Sequence, residues 1–176
     1  MQNEQAKTLE VLQLAVRMEV EGKEFYQKAS KRSKNKLAKE LLKQLSSEED
    51  IHRKKFEEIY KALKRGLDWP DVEPPFEKGK RIKSLFAEAT KALGSKFQVA
   101  ESEFEAIKMA MDMEVRSYNL YYSRSKESTI SMEKRFYETL AGEERGHHLA
   151  LLDSYEYLSD PAGWFTKKEH WSLDGA

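Results

Sequence analysis

The chain has 176 residues, enough for one well-formed core, and balances 31 basic against 31 acidic side chains. That neutrality gives no reason to expect a nucleic-acid or membrane partner. The absence of Cys excludes disulfides, iron–sulfur clusters, thiolate zinc sites and a cysteine nucleophile. Met1-Gln2-Asn3-Glu4-Gln5 contains no apolar run of signal length, and no apolar stretch approaches the ~18 residues of a membrane span, so a soluble cytoplasmic protein is expected.

The first predicted helix runs from about residue 3 to the low thirties. Its apolar stripe is Leu9, Leu12, Val16, Glu19 and Tyr26, with Glu19 standing where Leu would be expected. After a polar turn at Ser33-Lys34-Asn35-Lys36, a second helix is predicted as far as Arg65. Its stripe is Leu41, Leu45, Glu49, His52, Phe56, Ile59 and Leu63. Charged groups again interrupt the core face. A buried carboxylate without a partner is costly, and a metal ion would offset that cost.

Residues 66–94 form the connection. Trp69-Pro70, Pro74-Pro75 and Gly79 argue against a long helix, while Ile82, Leu85, Phe86, Ala89 and Leu93 can form one short amphipathic helix. A crossover running the length of a bundle needs about this much chain, because helices of ~25 residues are ~38 Å long. Ser95-Lys96-Phe97-Gln98 reads as a capping box opening a third helix, with Phe104, Ile107, Met111, Glu114 and Tyr121 on its stripe. The fourth helix is predicted from Ser131, carrying Phe136, Leu140, Glu144, His147, Leu151 and Leu158, and ends at Asp160-Pro161. Ser154 breaks that stripe. The tail, residues 161–176, holds Trp164, Phe165 and Trp171, expected to pack on the bundle or on a neighbouring subunit.

The two helical pairs are copies. An offset of 95 maps Glu19 onto Glu114, Tyr26 onto Tyr121, Glu49 onto Glu144, His52 onto His147, Met18 onto Met113 and Leu45 onto Leu140. Each Glu-x-x-His places both side chains on one helix face, one turn apart. One lone Glu and one Glu-x-x-His per half is the ligand set of ferritin-like di-metal carboxylate bundles. The expectation is therefore an all-α, single-domain four-helix bundle over residues 1–176. It comprises hairpins at about 3–65 and 95–160, joined by the long crossover. Four carboxylates balance two divalent ions, and hard oxygen ligands with imidazole suit iron or manganese, with zinc as a substitute. Glu48, Glu143 and His148 lie off the stripe and read as solvated surface. His170 reads as no ligand, and Met18 and Met113 as packing. Tyr26 and Tyr121 read equally well as core aromatics or as hydrogen-bond donors to a ligating carboxylate.

Ala15-Val16-Arg17-Met18-Glu19-Val20-Glu21-Gly22-Lys23-Glu24-Phe25-Tyr26 and Glu48-Glu49-Asp50-Ile51-His52, with their second-half copies, resemble the rubrerythrin branch of the ferritin-like superfamily. The resemblance implies that Glu19, Glu49, His52, Glu114, Glu144 and His147 hold two irons. Glu49 and Glu144 would bridge them, with one His capping each. It also implies reduction of O2 or peroxide, and a homodimer or larger homo-oligomer. Two departures stand out. Rubrerythrins carry a second Glu on the third helix, where this chain has Ser117, whose first-half counterpart is Gly22. The rubredoxin module is also missing, so electrons must come from a separate donor protein. An iron-handling protein of ferroxidase or storage type, and a structural bundle with a vestigial metal site, are the alternatives.

Overall fold

The computed structural model describes residues 2–71, 84, 88, 99–164 and 166. Four helices make up the described structure: α1 (Gln2–Arg32), α2 (Lys36–Lys64), α3 (Glu101–Glu127) and α4 (Ser131–Ser159). No strand occurs among the described residues, and no described helix is long and apolar enough to cross a membrane.

The helix ends explain the hairpins. Asn35 caps α2, its side chain accepting from the backbone N–H groups of Leu37 at 2.9 Å and Ala38 at 3.2 Å. At the far end of α2, Gly66 adopts φ 76°. Gly66 N–H donates to Leu63 O and Leu67 N–H to Ala62 O, the paired bonds of a Schellman stop. A residue with a Cβ would be strained at that φ.

Helix α3 starts later than its Ser95 capping box would place it. Ala100 is extended, at φ −73° and ψ 146°, and the helix begins at Glu101; residues 95–98 lie outside the described residues. The acceptor comes instead from Glu103. Its Oε2 accepts from Ala100 N–H at 3.1 Å, and its Oε1 from the N–H groups of Lys34 at 2.8 Å and Asn35 at 2.9 Å. One carboxylate thus fastens the start of α3 to the α1–α2 turn.

At the opposite end of the bundle, the buried Arg124 guanidinium donates to Glu133 and to Thr8 Oγ1, tying together α3, α4 and α1. The two fastenings fix the topology. Helix α3 runs antiparallel to α1, so the chain leaving α2 must return the length of the bundle before α3 begins. This is the predicted crossover; within its short amphipathic helix Ser84 and Glu88 are helical, while Ile82, Leu85, Phe86, Ala89 and Leu93 lie outside the described residues. Packing is widest within each hairpin, and the hairpins meet through α1 against α3 and α2 against α4.

The stripes predicted for the four helices all face inward. Two apolar clusters result, one built around Leu37, Leu41, Leu42, Ile107 and Leu151, the other around Leu12, Phe56, Ile59, Tyr121 and Leu140. Ser154, the break in the α4 stripe, is buried and turns its hydroxyl back onto Ala150 O at 2.7 Å. Asp160 ends α4, and Trp164 packs edge-on against Tyr157 at 5.4 Å between centroids. Phe165, His170 and Trp171 lie outside the described residues.

Candidate metal centre

The six residues singled out by the repeat converge between the two apolar clusters. Glu19, Glu49, His52, Glu114, Glu144 and His147 are all buried, none more than 5% exposed. Antiparallel α2 and α4 bring the two Glu-x-x-His motifs face to face, and the imidazole rings stack at 5.9 Å with 12° between planes.

Two overlapping clusters form. Glu19, Glu49, His52 and Glu144 make one; Glu49, Glu114, Glu144 and His147 make the other. Glu49 and Glu144 belong to both. His52 Nδ1 stands 3.2 Å from Glu144, and 3.6 Å from each of Glu19 and Glu49. His147 Nδ1 stands 3.4 Å from Glu114 and Glu144, and 3.9 Å from Glu49.

These spacings suit a shared cation. Donor atoms bound at ~2.1 Å to one ion lie about 3.0–3.4 Å apart when their angles at the ion are near 90–110°. Glu19 Oε2, both oxygens of Glu144 and His147 Nδ1 are buried with no hydrogen-bond partner. Buried polar atoms are otherwise almost always paired. Oxygen-rich donors with two imidazoles are also the set that hard divalent ions such as iron and manganese prefer. The residues present therefore fit a pair of such ions.

Both tyrosines prove to be hydrogen-bond donors. Tyr26 O–H donates to Glu114 Oε1 at 2.6 Å, and Tyr121 O–H donates to Glu19 Oε1. Each phenol reaches across the α1–α3 interface and leaves the other carboxylate oxygen turned towards a histidine. Burial, then the nearby carboxylates, push both phenols well above their ordinary pKa, so they stay protonated as donors.

The electrostatics describe a proton-loaded cluster. Burial first, then neighbouring carboxylates, raise Glu49 well above the usual range; burial and the charges of Glu144 and Glu49 do the same for Glu114. Burial alone would depress His52 and His147. For His52 the neighbouring Glu144, Glu19 and Glu49 override it, and for His147 chiefly Glu114, so both rise well above the ordinary histidine value. Burial also opposes ionisation of Glu144, but the two imidazoles hold it well below the usual carboxylate range. Cations entering the cluster must displace protons.

Two residues expected on the surface belong to this centre. Glu48 is half-buried, and its Oε2 lies 2.7 Å from His147 Nε2. Glu143 is buried and clusters with Glu48 and His147. With Glu48 accepting from Nε2–H, the proton a cation would displace is the one on Nδ1, the nitrogen that faces Glu49, Glu114 and Glu144. The clue was in the repeat, since Glu48 maps onto Glu143 at the offset of 95. His148 stays outside the cluster, half-buried with Nδ1 3.4 Å from Met111 O. Ser117 is half-buried one turn beyond Glu114. Gly22 is buried under Glu49: an added Cβ would sit 3.5 Å from Glu49 Cγ, so a methyl fits and a longer side chain would displace the carboxylate.

The family model for rubrerythrin matches residues 10–155. Among solved structures, a hypothetical protein from Pyrococcus furiosus is 23% identical with a TM-score of 0.62, covering 86% of this chain and 89% of its own, which supports the bundle fold. No curated protein sequence matches. With the match spanning all four helices and both copies of the Glu-x-x-His motif, the chain belongs to the rubrerythrin family.

Proposed function

We propose that this protein is a di-iron oxidoreductase that reduces O2 or peroxide with electrons from a separate donor. The observation that carries this reading is the pair of buried clusters sharing Glu49 and Glu144. Glu19, Glu49, His52 and Glu144 would hold one ion, and Glu49, Glu114, Glu144 and His147 the other. Iron bound by these residues would supply the electrons for reducing a small oxidant.

The chain's own residues prepare that chemistry. Tyr26 and Tyr121 orient Glu114 and Glu19. Glu48 aims the His147 ring. The apolar clusters on either side keep bulk water from the carboxylates, which strengthens their interaction with cations. These 176 residues contain no Cys to ligate an iron–sulfur carrier, which is why the reading takes the electrons from a separate donor.

Anaerobic loading with Fe(II), followed by stopped-flow mixing with O2 or peroxide in the presence of a reductant, tests the proposal. Two irons per chain and sustained turnover are expected. Oxidation without turnover, accompanied by iron uptake far beyond two per chain, would overturn it in favour of iron handling. Metal that binds but never changes oxidation state would leave only a structural role.

A further inference from the structure

The two halves repeat their ligands, but they do not repeat the shell around them. Next to Tyr121 stand Phe56 and Tyr137, and Phe136 packs against both of those rings. The offset of 95 places Leu151, Leu41 and Leu42 at the mirrored positions beside the other centre tyrosine, all fully buried. Leucine therefore fills this layer of the fold adequately, and packing alone does not call for aromatic rings on the Tyr121 side.

Those rings form a continuous line. Tyr121, bonded to Glu19, lies 6.0 Å from Tyr137, and Tyr137 lies 6.1 Å from Trp69. Trp69 lines a cavity of about 380 Å3 at the end of the bundle, whose rim carries the exposed Leu67 and Ile130. On the opposite side, the ring against Tyr26 among the described residues is Phe25, which does not readily give up an electron.

Tyr137 adds an independent sign. Its ring is fully buried and its hydroxyl has no hydrogen-bond partner. Phe would fill the same space without stranding a hydroxyl, so Tyr here costs stability. A phenol ring, however, is more electron-rich than a phenyl ring and passes an electron vacancy more readily.

We propose that Tyr121, Tyr137 and Trp69 form a one-electron relay between the carboxylate–histidine centre and the cavity at the bundle end, where a one-electron reductant meets Trp69. The proposal rests on the oxidant-reducing reading above. When the centre is oxidised beyond the reach of its donor, Tyr121 gives it one electron and passes its phenolic proton along the hydrogen bond to Glu19 Oε1. One electron then moves from Trp69 through the Tyr137 ring to Tyr121, and the proton returns from Glu19 to the phenoxyl oxygen. Trp69, left as a cation radical, takes one electron from the reductant. Tyr137 has no proton acceptor, so it conducts and does not store the vacancy.

The test needs no metal, which separates it from the fate of the proposed function. Pulse radiolysis of metal-free protein in azide solution generates the azidyl radical, which takes one electron from indole. A Trp164→Phe/Trp171→Phe background isolates Trp69. The vacancy placed on Trp69 then equilibrates with Tyr121 along the same path in reverse, so the expected result is a partial first-order decay of the indolyl absorption matched by a partial rise of phenoxyl absorption, at a rate independent of protein concentration. Tyr121→Phe should abolish the rise, Tyr137→Leu should slow it, and Tyr26→Phe should leave it intact. Circular dichroism of each variant identifies any that misfolds, and Tyr137→Phe, which preserves shape, replaces Tyr137→Leu in that event. Absence of the rise in the parent, or its persistence in Tyr121→Phe, would overturn the relay. Intact transfer in a protein whose iron never reacts with O2 or peroxide would instead refute the proposed function.

Discussion

Glu48→Ala removes the hydrogen bond to His147, together with the one Glu48 accepts from the Gln44 amide, and leaves every donor of the two clusters in place. His147 is fully buried, so its Nε2–H loses the acceptor at 2.7 Å with no solvent to replace it. A hydrogen bond to a charged partner contributes about 1.5–3 kcal/mol. Independently, losing the outer partner of a metal-binding histidine costs roughly 10–100-fold in affinity. At ~1.4 kcal/mol per decade that is about 1.4–2.8 kcal/mol, the same range as the hydrogen bond. Glu48 is 13% exposed, so solvent screens the pair little. The assay is an anaerobic competition titration against a chromophoric chelator. One ion per chain should weaken tenfold to a hundredfold, and the other should change little. Glu48→Gln, whose amide oxygen can accept the same N–H, should recover part of the loss. Unchanged affinity for both ions in Glu48→Ala, with His147→Ala still abolishing one of them, would refute the argument that Glu48 aims the ring.

Glu49→Ala and Glu144→Ala should each lower metal stoichiometry, because each residue serves both clusters; unaltered metal content by elemental analysis would refute the assignment. Metal-free protein should lose stability as pH rises above the ordinary carboxyl range. Glu49, Glu114, His52 and His147 hold protons in the fold that the unfolded chain releases at lower pH. Glu144, depressed in the fold, should add a separate loss in strong acid, and denaturant titrations of loaded and metal-free protein across pH measure both effects. Metal uptake near neutral pH should release protons, visible with an indicator dye in weak buffer. Ser117→Glu should supply a further carboxylate one turn along α3 towards Tyr121, on the Glu19 and His52 side. It should raise the peroxide rate relative to that with O2, whereas identical rates in both proteins would show that position 117 is irrelevant.

The six residues that converge were legible because burial leaves a periodic trace: each occupies a position that the 3.6-residue rhythm reserves for Leu. The doubled register then removed chance as an explanation. Glu48 and Glu143 escaped because a stripe drawn on one helix measures only the face turned to the bundle axis. Where α2 and α4 lie against each other, the sequestered arc widens to include neighbours of that stripe. The start of α3 was misplaced for a related reason. Ser95 offered a local signal, but Glu103 caps α3 while also holding the α1–α2 turn, and that second bond is tertiary. The tyrosines' partners lie on another helix, 88 and 102 residues away in the chain. Helical spacing shows that such residues point inward and is silent about what they meet.

Each cluster takes three residues from one hairpin and a single carboxylate from the other, Glu144 in one case and Glu49 in the other. A hairpin folded alone can therefore present most of a binding site but never a complete one. The fourth residue arrives only when the partner hairpin docks, after closure of the connection between them. An ion captured early by either hairpin would bias the search towards the correct pairing, acting as a template for assembly as well as an occupant of the finished bundle. Metal supply would then govern how fast the chain matures, and not only how active it is afterwards.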